Sequence, residues 1–313
     1  MRRLWIIVIL LFMSMSARAQ TQTRDKEVTI DDLISGAEAW AKENLDDDVL
    51  ELLDEIDRDR VRAFLMEMEA RLQTNSVYEL APLRKQAREL VPLLEEYEET
   101  DPLAQWLKTR LDYLDVSEEL KRAQLQPKPD KPIVILKPPE LPVQRTVWKR
   151  QFDRRGLPAN ADDYVPRLKE IFVAERMPPE LVWIAEVESS FNPEARSPVG
   201  ATGMFQLMKP TAKSYGLSTF LPDDRTDPEK SARAAARHLR HLHERFGDWS
   251  LALAAYNAGE SRVDGLLKKS RVRSYQAIAD RLPAETQMYV PKCEAALRKR
   301  EGVALGDLKR PQG

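Results

Sequence analysis

Residues 180–193 read "ELVWIAEVESSFNP" and place three glutamates within nine positions. On a helical wheel, at about 100° per residue, Glu188 falls inside a broad apolar arc. The arc comprises Leu181, Ile184, Ala185, Val187 and Phe191. Glu186 is predicted to face the polar side, and Glu180 lies in the first turn, where a carboxylate complements the helix N-terminus. Only Glu188 therefore stands out as a candidate for chemistry.

The position of Glu188 allows two interpretations. A carboxyl group on an apolar face loses hydration when it ionises, so its pKa rises and it keeps a proton near neutral pH. That property describes a general acid. Alternatively, Glu188 lies at the edge of the arc and reaches solvent or pairs with an arginine. The segment alone leaves both interpretations open.

The first residues have the pattern of an export signal. Arg2 and Arg3 precede an apolar run over residues 4–13, and small residues follow at Ala17 and Ala19. This pattern predicts a signal peptide over residues 1–19, cleaved before Gln20. The apolar run is short for a membrane span, so we expect no stable transmembrane anchor after cleavage. The pattern therefore predicts an exported protein.

The charge of the chain is divided between its halves. The chain has 313 residues, which is long enough for one large or two modest domains. Its net charge is −2. Residues 20–130 contain 15 Lys and Arg against 28 Asp and Glu, whereas residues 131–313 contain 31 against 23. A basic second half suits an acidic polymer. Because this half lacks interleaved aromatic residues for stacking on bases, we do not expect nucleic acid as a partner.

The sequence predicts a mainly α protein in two parts. Apolar residues at spacings of three and four predict an acidic helical hairpin or small bundle over residues 20–125, with Pro82 and Pro92 starting or kinking helices. The default interpretation of this part is a spacer or a module that binds a protein partner. Residues 126–147 are predicted as a Pro-rich linker, in which residues 126–142 are extended. Residues 148–313 are predicted as the catalytic domain.

Cysteine and histidine give little support to metal or redox chemistry. Cys293 is the only cysteine, so the chain has no internal disulfide and this thiol is predicted to be buried. On a helix His238 and His241 share a face, but His243 does not. We therefore predict no metal site and no cofactor.

Three motifs that follow Glu188 in the sequence indicate a family. They are "SSFNPEARSPVGATGMFQLMKPTA", "WSLALAAYNAGESRV" and "LPAETQMYVPK". In this order and spacing they resemble the catalytic domain of lytic murein transglycosylases, and within that family the membrane-bound lytic transglycosylase D group. The resemblance covers about residues 164–297. It implies a goose-type lysozyme-like fold, preceded here by the acidic α-helical module, and glycan strands of peptidoglycan as the partner.

The resemblance implies a role for individual residues. Glu188 corresponds to the single catalytic acid and base. Tyr256 matches a tyrosine whose hydroxyl approaches the acid, Tyr289 a second cleft aromatic, and Gln206 a glutamine that contacts sugar. The implied substrate-binding set is Ser189, Ser197, Gln206, Met208, Tyr256, Asn257 and Tyr289. One departure is Lys209, because the family has proline directly after the position of Met208, so this loop is expected to sit differently.

Each of these residues also has a structural interpretation. Tyr256 follows a run of apolar residues and is compatible with a core aromatic. Gln206 is compatible with a surface amide, and Gly200 and Gly203 with turns that require positive φ. Each signal is weak alone, whereas the ordered set is specific.

The motifs also bear on the reaction. A glycosidase normally needs two carboxyl groups, and the motifs supply only Glu188, since Glu186 is predicted on the wrong side and Glu194 in a loop. The resemblance implies that the acid protonates the oxygen between N-acetylmuramic acid and N-acetylglucosamine, and that the C6 hydroxyl then closes a 1,6-anhydro ring. The alternatives are a muramidase, which a second carboxylate in the cleft would favour, and a non-catalytic protein that binds the cell wall.

Overall fold

Helices make up most of the described part of the protein. The computed structural model describes residues 58–95, 101–124 and 138–311. These residues form helices connected by 3-10 turns and by isolated β-bridges, which confirms the mainly α prediction. The predicted signal peptide over residues 1–19 lies outside the described residues. No helix within these three stretches is long and apolar enough to cross a membrane.

The described part of the first half contains three helices and one 3-10 turn. They are α1 (Arg58–Leu72), the turn Val77–Leu83, α2 (Arg84–Glu95) and α3 (Asp101–Gln124). Apolar side chains at the predicted spacing are buried, as the row Phe64, Leu65, Met68 and Leu72 shows for α1. Pro82 lies inside the 3-10 turn and Pro92 inside α2. The helical pattern predicted for this half is confirmed where it is described.

Helix α4 (Leu141–Asp153) corrects the predicted end of the linker. Residues 141–147 belong to the predicted linker, but they are helical, with Pro142 in the first turn where its missing N–H costs nothing. Val147, Trp148 and Phe152 are buried, so the helix is stabilised by packing. A boundary at residue 148 would therefore divide a helix. The rest of the predicted linker, residues 126–137, lies outside the described residues.

The second half surrounds one buried helix. Its helices after α4 are α5 (Ala161–Ala174), α6 (Ile184–Ser189), α7 (Lys209–Ser214), α8 (Pro228–Phe246), α9 (Trp249–Ala258), α10 (Glu260–Lys268) and α11 (Ala284–Glu301). The 3-10 turns are Pro179–Trp183, Asp224–Thr226, Ala279–Arg281 and Leu305–Asp307. Helix α11 is buried from Ala284 to Leu297 apart from Glu285 and packs against α4, α6 and α9. It therefore positions side chains from several parts of the chain.

Aspartate caps fix where two of the helices begin. Asp227 accepts hydrogen bonds of 2.9 Å from the backbone N–H groups of Glu229 and Lys230 at the start of α8. Asp248 accepts one of 2.8 Å from the N–H of Leu251 at the start of α9. Such caps satisfy N–H groups that have no partner inside the helix. Helix α9 carries Tyr256 and Asn257, so its cap contributes to their placement.

The two halves pack against each other. Their buried apolar residues form one continuous core, in which Tyr113 of α3 contacts Trp148 of α4 at 5.4 Å between ring centroids. Lys292 of α11 is buried and forms an ion pair of 3.0 Å with Asp112 of α3. The backbone N–H of Ala284 donates to the carbonyl of Thr74 at 2.6 Å. The division into two domains stays a prediction, whereas the helices on both sides of it share a core.

Candidate active site

Helix α6 presents Glu188 on a short, enclosed turn of the chain. The helix ends at Ser189 because Ser190 and Phe191 adopt left-handed backbone conformations, with φ of 54° and 62°. Such conformations are costly for residues other than glycine. Burial of the Phe191 ring, which meets Trp183 edge-on at 5.6 Å, offsets that cost. The turn thus fixes the direction of the chain immediately after Glu188.

The carboxyl group of Glu188 is buried and hydrogen-bonded. The residue is 6% exposed, and the hydroxyl of Tyr289 donates to Oε1 at 2.6 Å. Burial raises the pKa of Glu188 from 4.5 to about 7, against the opposing effects of Arg110, the Tyr289 hydrogen bond and Lys292. The prediction of a raised pKa is therefore confirmed. A group with this pKa can both donate and accept a proton near neutral pH.

The two predicted tyrosines occupy different positions from those expected. Tyr289, predicted as a cleft aromatic, is buried and is the residue that contacts the acid. The hydroxyl of Tyr256 instead donates to the carbonyl of Phe205 at 2.7 Å. Tyr256 still lies near the acid, since burial and then the charge of Glu188 raise the pKa of its hydroxyl. The expected contact is thus made from α11 and not from α9.

Glu186 does not face a polar, exposed side as predicted. It is 1% exposed, and its two carboxylate oxygens accept hydrogen bonds of 2.7 and 2.9 Å from the guanidinium of Arg300. The helical wheel correctly placed Glu186 on the side of the helix opposite the apolar arc, but it did not predict that other residues cover this side. Helix α6 is enclosed on all sides, and the C-terminal turn of α11 supplies the cation. Glu186 therefore has a structural role in the described contacts.

Ser189 and Ser197 hold the loop that follows the helix. The Ser189 hydroxyl donates to the carbonyl of Met204 at 2.8 Å and accepts from the N–H of Asn192 at 3.1 Å. The Ser197 hydroxyl accepts from the N–H of Ala201 at 2.9 Å. Both predicted site residues thus bond to backbone groups of the chain itself, which places them as supports of the loop.

Gln206 lies at the closed end of this loop. Its φ is 47°, and its Nε2 donates to the carbonyls of Ala195 at 3.2 Å and Gly203 at 2.9 Å. Its Oε1 is buried and has no hydrogen-bond partner among the described residues. Buried acceptors are usually satisfied, so this unpaired atom is an exception within the loop.

Lys209, which stands where the family has proline, begins a helix. Met208 is 36% exposed, and α7 begins directly after it at Lys209, with Pro210 in the first turn. Burial and the nearby Arg225 lower the pKa of the Lys209 ammonium group. The additional lysine therefore forms the first residue of a helix. Met208 remains accessible beside the loop.

Asn257 connects the helices that carry the two tyrosines. Its Oδ1 accepts a hydrogen bond of 2.6 Å from the hydroxyl of Thr286 on α11. The amide of Asn257, a predicted substrate-binding residue, is therefore already engaged by one protein contact. It fixes α9 against α11 close to Tyr256 and Tyr289.

Two charged residues near the acid were not identified from the sequence. Arg110 of α3 donates to the backbone carbonyl of Glu188 at 3.3 Å, and its Nη2 lies 3.5 Å from Oε1 of Glu285. The charge of Glu285 raises the pKa of Glu188. Glu285 stands four residues before Tyr289 on one helix face, so helical spacing offered a signal for it. Arg110 had no such signal.

The three histidines contact separate partners. His238 Nδ1 lies 3.2 Å from the Tyr215 hydroxyl, His241 Nε2 lies 3.0 Å from a carboxylate oxygen of Glu260, and His243 contacts Trp249 at 4.1 Å between ring centroids. In the described ranges no three His, Cys, Asp or Glu side chains are grouped to hold a metal. Cys293 is buried, as predicted, and burial raises the pKa of its thiol.

Comparison with known proteins finds a family model that matches this region. Residues 173–278 match the family described as Transglycosylase SLT domain. The chain is 42% identical over 138 residues to membrane-bound lytic murein transglycosylase D of Escherichia coli strain K12, covering 41% of this chain and 30% of that protein. It is 32% identical over 173 residues to membrane-bound lytic murein transglycosylase F of Vibrio cholerae, covering 50% of this chain and 30% of that protein.

A solved structure is similar over a longer stretch at lower identity. The 70 kDa soluble lytic transglycosylase SLT70 of Escherichia coli is 21% identical, with a TM-score of 0.40, and the match covers 96% of this chain and 61% of that chain. The chain spans about a third of the length of the two curated relatives. The resemblance inferred from the motifs is nonetheless confirmed for the matched segment: residues 173–278 match the transglycosylase SLT domain, and the relatives similar to this chain are lytic murein transglycosylases.

Proposed function

We propose that the protein is a peptidoglycan lytic transglycosylase, in which Glu188 acts as both acid and base. The observation that carries this proposal is the state of Glu188 within the SLT segment. Its carboxyl group is buried, its pKa is raised to about 7, and Tyr289 donates to it at 2.6 Å. A carboxyl group that is half protonated near neutral pH suits a reaction in which one residue first gives and then takes a proton.

The proposed reaction proceeds in two steps and consumes no water. Glu188 first protonates the glycosidic oxygen between N-acetylmuramic acid and N-acetylglucosamine, and the bond from C1 of muramic acid to that oxygen breaks, with the muramoyl acetamido group assisting at C1. The ionised Glu188 then takes the proton of the C6 hydroxyl. The C6 oxygen bonds to C1 and closes the 1,6-anhydro ring, and Glu188 is protonated again.

Neighbouring residues support this cycle in defined ways. The Tyr289 hydroxyl stabilises the ionised form of Glu188, because a hydrogen bond to a carboxylate favours the charged state. The unpaired Oε1 of Gln206 offers an acceptor to a sugar hydroxyl or amide. We propose Ser189, Ser197 and Asn257 as supports of the cleft. We propose that Tyr256 and Met208 contact the substrate, because Tyr256 is only partly buried and Met208 is accessible.

A muramidase is the second candidate, and Glu285 favours it. Hydrolysis with a second carboxylate requires that group close to the acid. Glu285 lies close enough for its charge to raise the pKa of Glu188. It is, however, paired with Arg110 at 3.5 Å, which engages its charge. This pairing is why we favour the transglycosylase.

Mass analysis of digested murein separates the candidates. We expect muropeptides ending in 1,6-anhydro-N-acetylmuramic acid, lighter by one water than the products of hydrolysis. Glu188→Gln keeps the shape of the side chain but cannot deliver a proton, so turnover should fall by about 10²–10⁴-fold. Glu194→Gln, on an exposed loop, is the matched control and should remain active. Reducing ends alone would establish the muramidase, and the absence of products from the wild-type protein would leave a protein that only binds the wall.

We also propose that the protein works in the periplasm. The export pattern of residues 1–19 and a murein substrate support this location. N-terminal sequencing of the protein purified from a periplasmic extract should begin at Gln20. A chain that retains Met1 in the cytoplasmic fraction would contradict the proposal.

A further inference from the structure

Arg110 lies beside the proposed acid although it belongs to the other half of the chain. It is 8% exposed and projects from α3 into the region between α6 and α11. Its Nη1 donates to the Thr109 hydroxyl at 2.8 Å and to the Glu188 carbonyl at 3.3 Å, and its Nη2 faces Glu285 at 3.5 Å. A buried guanidinium group needs such partners, because removing its charge from water is costly.

We propose that Arg110 is a positioning residue for Glu188, so that the N-terminal helical half forms part of the active site. This inference rests on the proposed function of Glu188. The donor of the hydrogen bond to the Glu188 carbonyl is not part of the SLT segment, since Arg110 lies outside residues 173–278. The helical half is thus a component of the site in addition to any role as a spacer or as a module that binds a partner.

The first part of the argument concerns the backbone of α6. This helix has only six residues, and the last carbonyl groups of a helix lack partners within it. Arg110 donates to one of them, the carbonyl of Glu188 itself. A guanidinium group is planar and donates in fixed directions, so it restrains the carbonyl it contacts. Arg110 therefore limits the movement of the residue that must meet the glycosidic oxygen.

The second part concerns the charges around the Glu188 carboxyl group. The groups that face it are Arg110 from α3, Tyr256 from α9, and Glu285, Tyr289, Lys292 and Cys293 from α11. Lys292 is paired with Asp112, so Arg110 is the cation that balances Glu285. Without Arg110, the negative charge of Glu285 would be opposed less and would favour the protonated form of Glu188.

A purely structural role predicts a different outcome. If Arg110 only joined the two halves, its loss would lower the free energy of unfolding without changing the proton affinity of Glu188. Titration of Glu188 in the folded protein is therefore the decisive measurement. It can be followed by carbon NMR of the full chain labelled at the glutamate side-chain carboxyl carbons, with the Glu188 signal assigned from Glu188→Gln.

The experiment compares five variants with the wild type. Arg110→Met should raise the titration midpoint of Glu188 by about one pH unit, the low end of the effect of an adjacent charge. Glu285→Gln should lower it, and the double variant R110M/E285Q should return it toward the wild-type value. Arg110→Lys, which keeps the charge, should shift it less than Arg110→Met. Arg122→Met removes an exposed arginine of α3 that pairs only with Glu118 in the described contacts, and should leave the midpoint unchanged.

The activity of the same variants tests positioning directly. Arg110→Met should reduce kcat on sacculi by about tenfold or more while changing KM little, because a displaced catalytic group costs turnover more than binding. An unchanged midpoint in Arg110→Met, or equal shifts in Arg110→Met and Arg122→Met, would overturn the inference. If Arg110→Met does not fold, the Glu285→Gln variant decides. A Glu188 titration midpoint that this variant leaves unchanged would overturn the inference, and a lowered midpoint would support it. A wild-type protein without activity would refute the proposed function, whereas the titration would still decide the role of Arg110.

Discussion

The hydroxyl of Tyr289 donates a hydrogen bond of 2.6 Å to the carboxyl group of Glu188, across 101 positions of sequence. Tyr289 is 1% exposed and Glu188 6% exposed, so the bond forms away from bulk water. In such surroundings a hydrogen bond to a charged group is stronger than in water. The bond therefore has a large influence on which protonation state Glu188 adopts.

Tyr289→Phe should impair turnover and shift its pH dependence. The lost hydrogen bond stabilised the ionised carboxylate, so the pKa of Glu188 should rise above about 7 and the alkaline limb of the kcat profile should move to higher pH. A hydrogen bond to a charged group contributes about 1.5–3 kcal/mol, which corresponds to a fall of roughly 10- to 100-fold in kcat. The measurement is kcat on purified sacculi between pH 5 and pH 9.

Tyr275→Phe provides a matched control for this substitution. Tyr275 is also buried and donates to the carbonyl of Gln287 at 3.1 Å, but it does not contact Glu188 in the described structure. Its loss should cost about 1 kcal/mol of stability and leave the pH profile in place. Equal pH shifts in the two variants would show that the Tyr289 bond does not control the acid.

Glu186→Gln should destabilise the protein. The carboxylate of Glu186 forms a buried pair with Arg300, whose side chain is itself only 8% exposed. Removing one charge leaves the other buried without compensation, which typically costs 3–5 kcal/mol. We expect a loss of about 3 kcal/mol, since the amide oxygen still accepts one hydrogen bond. Urea denaturation measures the loss, and Glu244→Gln, at an exposed carboxylate, should change stability by less than about 0.5 kcal/mol.

The comparison of Glu186 with Glu188 shows how far the sequence can predict this site. Helical periodicity correctly placed Glu188 among apolar residues, because the spacing of side chains around a helix is a local property. The raised pKa follows from that placement. Periodicity does not report what covers the opposite face. For α6 that face meets Arg300, which is 114 residues away in sequence, so Glu186 is buried as well.

Contacts between distant segments account for the other differences. The motifs named Tyr256 and Tyr289 correctly as neighbours of the site, but which hydroxyl reaches the acid depends on how α9 and α11 pack. Arg110 lies 78 residues before Glu188, within a half that the motifs do not cover. No local spacing relates the two residues. The helices themselves were predictable, whereas their assembly around Glu188 was not.

Glu188→Gln should make the folded protein more stable than the wild type above pH 7. Below pH 4.5 the carboxyl group is protonated in both the folded and the unfolded chain, so it does not favour either state. Between pH 4.5 and about pH 7 the unfolded chain releases the proton and the folded chain retains it, so wild-type stability falls as pH rises. A difference of about 2.5 units corresponds to a loss of roughly 3 kcal/mol, which glutamine does not incur.

Denaturation in urea at pH 4.5 and pH 8 measures this effect. The stability of Glu188→Gln minus that of the wild type should be larger at pH 8 by about 3 kcal/mol. Glu194→Gln should show no such change with pH, because Glu194 is exposed. A pH-independent difference for Glu188→Gln would mean that Glu188 is not the group whose proton affinity rises on folding.

Gly203→Ala should disrupt the loop that holds Gln206. Gly203 has a φ of +82°, and a Cβ atom there would lie 1.8 Å from the backbone oxygen of Arg225, so the two backbones must separate. The carbonyl of Gly203 accepts the Nε2 of Gln206 at 2.9 Å, so a displaced loop also moves that side chain. We expect a loss of about 2–4 kcal/mol in stability and weaker binding of glycan strands.

Gly200→Ala separates backbone strain from the close approach to Arg225. Gly200 has a similar φ of +87°, but a Cβ atom there would meet no atom within 4 Å. Its replacement should therefore cost only the strain of the positive φ, about 1–2 kcal/mol, and should leave KM on sacculi near the wild-type value. Gly203→Ala should raise KM as well as lower the melting temperature. If both variants lose the same stability and neither changes KM, the contact between Gly203 and Arg225 does not position Gln206.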